Sequence, residues 1–174
     1  MVKILDTADS VRRKAAPRAV AVPMCPVMAA TEALARKGGH EARGAIFTRS
    51  EVVDFILDLA GYTEDQPLYK KRILEPSFGG GDFLLPIIER LLSAWSAARP
   101  KGSALNELAN AIRAVELHYD TFRRTQAAVI TLLKRRGITA NAATSLAQCW
   151  LSRGDFLLEP LEGTFDFVVG NPPY

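Results

Sequence analysis

The stretch that most constrains the fold runs from Ile73 to Leu84, Ile-Leu-Glu-Pro-Ser-Phe-Gly-Gly-Gly-Asp-Phe-Leu. A short apolar lead-in meets an acid, a proline and three consecutive glycines. An apolar series at helical spacing follows directly: Phe83, Leu84, Ile87, Ile88, Leu91, Leu92 and Trp95. The pattern predicts a strand, a glycine turn and a helix. Glycines in such a turn admit positive φ and let a ligand approach the backbone, and the helix start behind them offers unpaired N–H groups. A plain tight turn is the competing reading, so the rest of the chain has to decide.

Further strands and helices alternate along the 174 residues. Val27 to Lys37 has helical composition and ends at Gly38-Gly39. Thr48 and Glu51 have the spacing of a capping box, with Val52, Phe55, Ile56 and Leu59 on one helical face and Gly61 closing the helix. Strand one is expected at about Arg72 to Glu75. Pro86 fits the first turn of the next helix, where its missing N–H costs nothing. A short helix is expected at Leu105 to Asn110, strand two at Ile112 to Leu117, and a helix from Tyr119 to Arg136 closed by Gly137. Leu146 to Leu151 reads as strand three, and Phe165 to Val169 as a buried parallel strand. Such alternation gives an α/β sheet.

Composition excludes several classes. Hydrophobic residues make up 48% and charged residues 24%, which fits a globular chain and not a disordered one. The net charge of +3 is unevenly placed: residues 1–43 carry eight Lys/Arg against four Asp/Glu, and the remainder is nearly balanced. The basic character therefore belongs to an N-terminal arm, and the body is no basic nucleic-acid platform. Cys25 and Cys149 lie far apart without histidine clusters, so neither a disulfide framework nor a metal site is indicated. The apolar run Ala19 to Ala30 is broken by Pro23 and Pro26 and is too short to span a membrane. A cytoplasmic protein is expected.

Ligands of open α/β sheets bind beyond the carboxyl ends of the strands. Four features fall at such ends: Glu75 with the glycines, Glu116, Gly154-Asp155-Phe156, and Asn171-Pro172-Pro173-Tyr174. An acid ending strand two suits a ribose diol, because a carboxylate accepts from both hydroxyls. The spacing does not match G-x-G-x-x-G with an acid about 20 residues on, and there is no G-x-x-x-x-G-K-[ST]. The two prolines of the last feature enforce an extended backbone and remove two donors. A row of acceptors and an aromatic face remain, which suits a planar amino group.

On these residues the chain resembles the S-adenosylmethionine-dependent amino-methyltransferases, most closely the gamma group of adenine-N6 DNA methyltransferases from restriction–modification systems. Leu74 to Leu84 is similar to the family's Asp-Pro-x-x-Gly-x-Gly-x-Phe-Leu cofactor motif, and Phe47-Thr48 to its Phe-Thr-Pro segment. Glu75 stands where aspartate is commoner, Ser77-Phe78 where Ala-Cys is, and Arg49 where proline is. The resemblance runs from about Gly44 to Tyr174. It implies a Rossmann-like fold with helices on both faces of a mainly parallel sheet, cut off after the fourth strand. Residues 1–43 would be a basic arm with a short helix, and 44–174 part of a catalytic domain without its target-recognition domain.

The same resemblance implies residue roles. Phe47, Thr48, Pro76 and the loop Ser77 to Gly81, with Gly79 and Gly81, hold the methionine part of S-adenosylmethionine, and Glu75 supports its amino group. Glu116 binds the ribose. Asp155 binds the adenine amino group and Phe156 flanks the ring. Asn171 and the Pro172 carbonyl accept from the substrate amine, Pro173 stiffens the loop, and Tyr174 stacks on a flipped base. No metal is required. DNA is the expected partner, through a region absent from this chain, together with a complementary C-terminal chain if the protein is split. The four-residue motif is shared with protein-glutamine methyltransferases, and RNA methylation or a non-catalytic cofactor-binding remnant are further readings.

Overall fold

The computed structural model describes residues 48–98 and 101–171. The helix expected at Val27 to Lys37, the segment 1–43, and Phe47, Pro172, Pro173 and Tyr174 lie outside the described residues. In chain order the elements are α1 (Ser50–Leu59), β1 (Ile73–Glu75), α2 (Leu84–Ala97), α3 (Ala104–Leu108), β2 (Ile112–Glu116), α4 (Tyr119–Arg135), α5 (Ala140–Trp150), β3 (Leu151–Arg153) and β4 (Phe167–Val168). Short 3-10 turns occupy Leu68–Lys70 and Phe156–Leu158.

The four strands form one sheet in the order β3-β2-β1-β4, and every pairing is parallel. The expected α/β class is therefore observed, in its all-parallel, Rossmann-like form with flanking helices. Register sets Ile73 beside both Ile112 and Phe167, and Ala114 beside Leu151. All carboxyl ends thus reach one rim, and the order reverses between β1 and β4. That reversal is the kind of crevice in which open sheets bind ligands.

Burial explains why these segments pair. Ile73, Leu74 and Glu75 are all buried, as is β2 except for the half-buried Arg113. Leu84, Ile87, Ile88, Leu91 and Leu92 of α2 are essentially inaccessible, at the helical spacing read from the sequence. Pro86 indeed sits in the first turn of α2. Trp150 is fully buried, and its Nε1–H donates to the Leu108 carbonyl at 2.8 Å. Its apolar body fills the core while its polar edge stays paired.

Four expectations need correction. Leu146 to Leu151 is not a strand: residues up to Trp150 belong to α5, and β3 begins at Leu151. Thr139 caps that helix by accepting from the Ala142 N–H, and Ala143, Leu146, Ala147 and Trp150 form its buried stripe. Thr48 and Glu51 form no capping box, because the N-cap is Arg49 and carries no side-chain cap bond. The buried face of α1 is Val53 and Leu57, whereas Val52, Phe55 and Leu59 remain exposed. Asp54 and Asp58 flank the buried row and pair with Arg90 of α2, which fixes how the helix is rotated. Finally, β4 is only two residues long and only partly covered: Phe167 is half-buried and Val168 is 62% exposed.

The approach to β4 is held by polar contacts instead. Asp166 accepts from the Arg72 backbone N–H at 2.8 Å and from Lys71 Nζ at 3.1 Å. The Arg72 guanidinium donates to the Glu162 and Thr164 carbonyls and lies 4.5 Å over the Phe165 ring.

Candidate functional site at the carboxyl rim

The glycine loop is built from both sides. The Phe78 N–H donates to the Val115 carbonyl of β2 at 3.0 Å, and the buried Phe78 ring packs near Phe122 of α4. Gly79 and Gly81 adopt φ of +49° and +93°, a region that side chains disfavour. A Cβ on Gly81 would lie 3.1 Å from Thr125 Cγ2 and 3.2 Å from Leu85 Cγ, whereas one on Gly79 would meet nothing within 4 Å. Gly81 is thus favoured by its φ and by close side-chain neighbours. Gly79 instead keeps its backbone open to the rim.

Glu116 clasps this loop. Its Oε2 accepts from the Gly79 N–H at 2.9 Å and its Oε1 from the His118 N–H at 2.7 Å. The side chain is buried, and a carboxylate with one donor on each oxygen retains further lone pairs on both. Thr125 Oγ1 donates to the Gly79 carbonyl at 2.8 Å and completes the clasp.

Thr48 and Asn171 meet across 123 residues of sequence. The Asn171 amide donates to Thr48 Oγ1 at 3.3 Å, and the Thr48 N–H donates to Asp82 Oδ2 at 2.8 Å. The Val169 N–H bonds to the Leu74 carbonyl, and Gly170 lies close against Pro76 and Glu75. Glu75 is 2% exposed, and its Oε2 has no hydrogen-bond partner. Burial first, and then the charges of Asp82 and Glu116, push its carboxyl well above the ordinary carboxylate range. The buried Nδ1 of His118 also lacks a partner.

Thr48, Glu75, Pro76, the loop Ser77 to Gly81, Glu116 and Asn171 are therefore brought together. Asp155 and Phe156 follow β3, two strands from β1, and both are half-buried. Asp155 accepts from the Leu157 N–H and so caps the 3-10 turn. Ion pairing of Glu159 with Arg113, together with a bond from Ser152 to Glu159, fastens that turn to β2 and β3. An open hollow on α1 and α2, edged by Asp54, Asp58, Glu64, Glu89 and Arg90, shares no residue with the rim.

Sequence reasoning missed Asp82, His118 and Thr125. Thr125 did leave a signal: it is a polar residue inside the apolar stripe Phe122, Val129 and Leu132 of α4. Asp82 gave only its adjacency to the glycines. Among the described residues no group of side chains suits a metal ion, and no helix is long and apolar enough to cross a membrane.

Fold and rim define an α/β chain of Rossmann-like type with its polar groups gathered where such sheets bind ligands. Its homologues are type II methyltransferases. It is 79% identical over 155 residues to the type II methyltransferase M.PaeR7I of Pseudomonas aeruginosa, covering 89% of this chain and 27% of that protein. It is also similar to M.XhoI of Xanthomonas vasicola, 51% identical over 77% of the chain, and to M.BstVI of Geobacillus stearothermophilus, 36% over 78%. The chain spans about a quarter of the length of these curated relatives, 25% in the last two. No family model matches, and no solved structure does.

Proposed function

We propose that this chain is the cofactor-binding part of a restriction–modification DNA methyltransferase that transfers methyl from S-adenosylmethionine to the N6 amino group of adenine. The observation that carries the reading is the convergence of Thr48, Glu75, the glycine loop, Glu116 and Asn171 on one rim of an all-parallel sheet. The similarity to type II methyltransferases over 89% of the chain supports it independently. Residues 44–174 belong to the catalytic domain in this reading, and 1–43 form a basic arm preceding it.

The residues present fit the cofactor. Buried Glu75 has an oxygen without a partner, which suits an ammonium donor. Glu116 keeps lone pairs for two ribose hydroxyls while holding the loop. Thr48 and the loop from Ser77 to Gly81, with Pro76 before it and Phe47 beside Thr48, line the methionine end. Asp155 and Phe156 take the adenine end, just beyond the carboxyl end of β3. The cofactor supplies an electrophilic methyl group on a sulfonium. Asn171 and the Pro172 carbonyl accept from the target amine, Pro173 stiffens the loop, and Tyr174 stacks on the base. The base is flipped because its amino group is inaccessible in a stacked duplex. Alignment of amine and methyl then supplies most of the acceleration.

The test has two arms. Titration of the 174-residue chain with S-adenosylmethionine should show binding that Glu116→Ala weakens. In the complete reading frame, labelled methyl should pass to adenine in duplex DNA, and Asn171→Ala should abolish transfer with cofactor affinity nearly intact. Labelling of protein or RNA instead of DNA would overturn the substrate assignment.

A further inference from the structure

Glu75 is the most unusual group on the rim. It ends β1 at the crevice between β1 and β4, is 2% exposed, and leaves Oε2 unpaired. An ionised carboxylate in that position would carry a large desolvation cost. Its surroundings make matters worse for an anion. Asp82 acts on it from the glycine loop and Glu116 from β2, both negative. From beyond β4, Gly170 lies close against Glu75, and the neutral Asn171 bonds to Thr48. His118, just beyond β2, is a further titratable group of this rim, and its buried Nδ1 is unpaired. Asp82 and Glu116 already receive backbone N–H donors, from Thr48 and from Gly79 and His118. Glu75 receives no such donor on Oε2.

We propose that Glu75 is the neutral acid in the ligand-free site and gives up its proton to solvent when the ammonium of the bound ligand takes its place. The inference rests on the cofactor reading above and adds a proton-linked step to it. An ammonium beside Glu75 supplies the positive charge that lets its carboxylate ionise next to the two other acids, so that an ammonium replaces a proton with no net change in the charge of the cluster. The neutral acid also explains how three carboxyl groups are tolerated on one rim. Affinity then depends on pH with a definite sign. Free protein binds the proton and the complex does not, so affinity rises with pH until free Glu75 is itself ionised, then levels off.

Calorimetric titration of the 174-residue chain with S-adenosylmethionine, in two buffers of different ionisation enthalpy, counts the proton directly. The expected result is release of about one proton per ligand, and affinity rising up to about tenfold per pH unit within the window. The measurements stay below the ligand's own ammonium range, about 7.7–8.0. E75Q mimics the neutral acid and should release none, with a flat pH profile. Binding by the wild type without proton release, or equal release by E75Q, overturns the proposal and leaves the cofactor reading standing. No binding at all overturns both. If E75Q fails to fold, the infrared C=O band of a protonated carboxyl decides. It should be present in the free wild-type chain and lost on saturation, and its absence from the free chain refutes the neutral acid.

Discussion

Glu116→Gln separates the ligand role proposed for this residue from its structural role in the glycine loop. A ligand role alone predicts unchanged stability without ligand. The clasp predicts otherwise, because the two carboxylate oxygens serve two different backbone donors, Gly79 N–H at 2.9 Å and His118 N–H at 2.7 Å. An amide has one acceptor oxygen, so one of these N–H groups must face an NH2. Losing one charge-assisted bond and leaving its donor unpaired costs about 2–4 kcal/mol. Removing a charge from this cluster of carboxyls offsets part of that cost. The expected net loss is about 1–3 kcal/mol, or a Tm lower by about 2–12 °C for a chain of this length. Urea unfolding of both proteins without ligand measures it, and hydrogen exchange at Gly79 should quicken in the variant. A loss below about 0.5 kcal/mol, the range of ordinary surface substitutions, would refute the clasp.

Gly81→Ala should destabilise the chain by about 2–4 kcal/mol, since φ is +93° and the new methyl meets Thr125 and Leu85. Gly79→Ala, with open space around it, should cost only about 1–2 kcal/mol, and paired thermal melts compare the two. Because the folded-state carboxyl of Glu75 is raised, the folded chain holds a proton that the unfolded chain releases above its ordinary carboxylate range. Stability should therefore fall as pH rises through that window, by up to about 1.4 kcal/mol per pH unit, and Glu75→Gln should remove this component in urea titrations run across pH. Asp166 shows the opposite sign: its backbone bond to Arg72 and its contact with Lys71 hold its carboxyl low. Asp166→Ala should loosen β4, read as faster hydrogen exchange at Phe167 to Val169, and in the wild type the same loosening should appear as pH falls through that lowered range.

The parts of the fold that could be read from sequence were those fixed by local chemistry. The glycine loop and α2 were legible because backbone freedom, a first-turn proline and a five-residue apolar stripe all agree there. The segment before β3 was not. Leu-Ala-Gln-Cys-Trp-Leu is a short apolar run, and such runs do not distinguish strand from helix by period. The deciding signal was upstream, in Thr139 as a cap and in the stripe Ala143, Leu146, Ala147 and Trp150. The rotation of α1 failed for a different reason. Two apolar rows lie about one residue apart on that helix, and long-range contacts choose between them, the packing of Val53 and Leu57 in the core together with the ion pairs of Asp54 and Asp58 with Arg90.

The same distinction explains the rim. Glu75 and Glu116 end β1 and β2, and Asp155 and Asn171 follow β3 and β4, an order legible in the sequence, and the parallel register puts all four at one end of the sheet. What sequence could not carry was the wiring between them. Thr48 looked like a helix cap because Glu51 stands three residues on. In the fold its N–H is drawn to Asp82 and its hydroxyl to Asn171, contacts that span 34 and 123 residues. Glu116 looked like a free ligand acid and instead already spends one lone pair on each oxygen holding the loop. A site whose proposed ligand groups are also its struts cannot be altered at one residue without moving its neighbours. Thr48→Val should therefore disturb Asn171 even though the two residues lie in different proposed half-sites. The measurement is the side-chain amide resonance of Asn171, which should shift in the variant; an unchanged resonance would show that the two half-sites are independent.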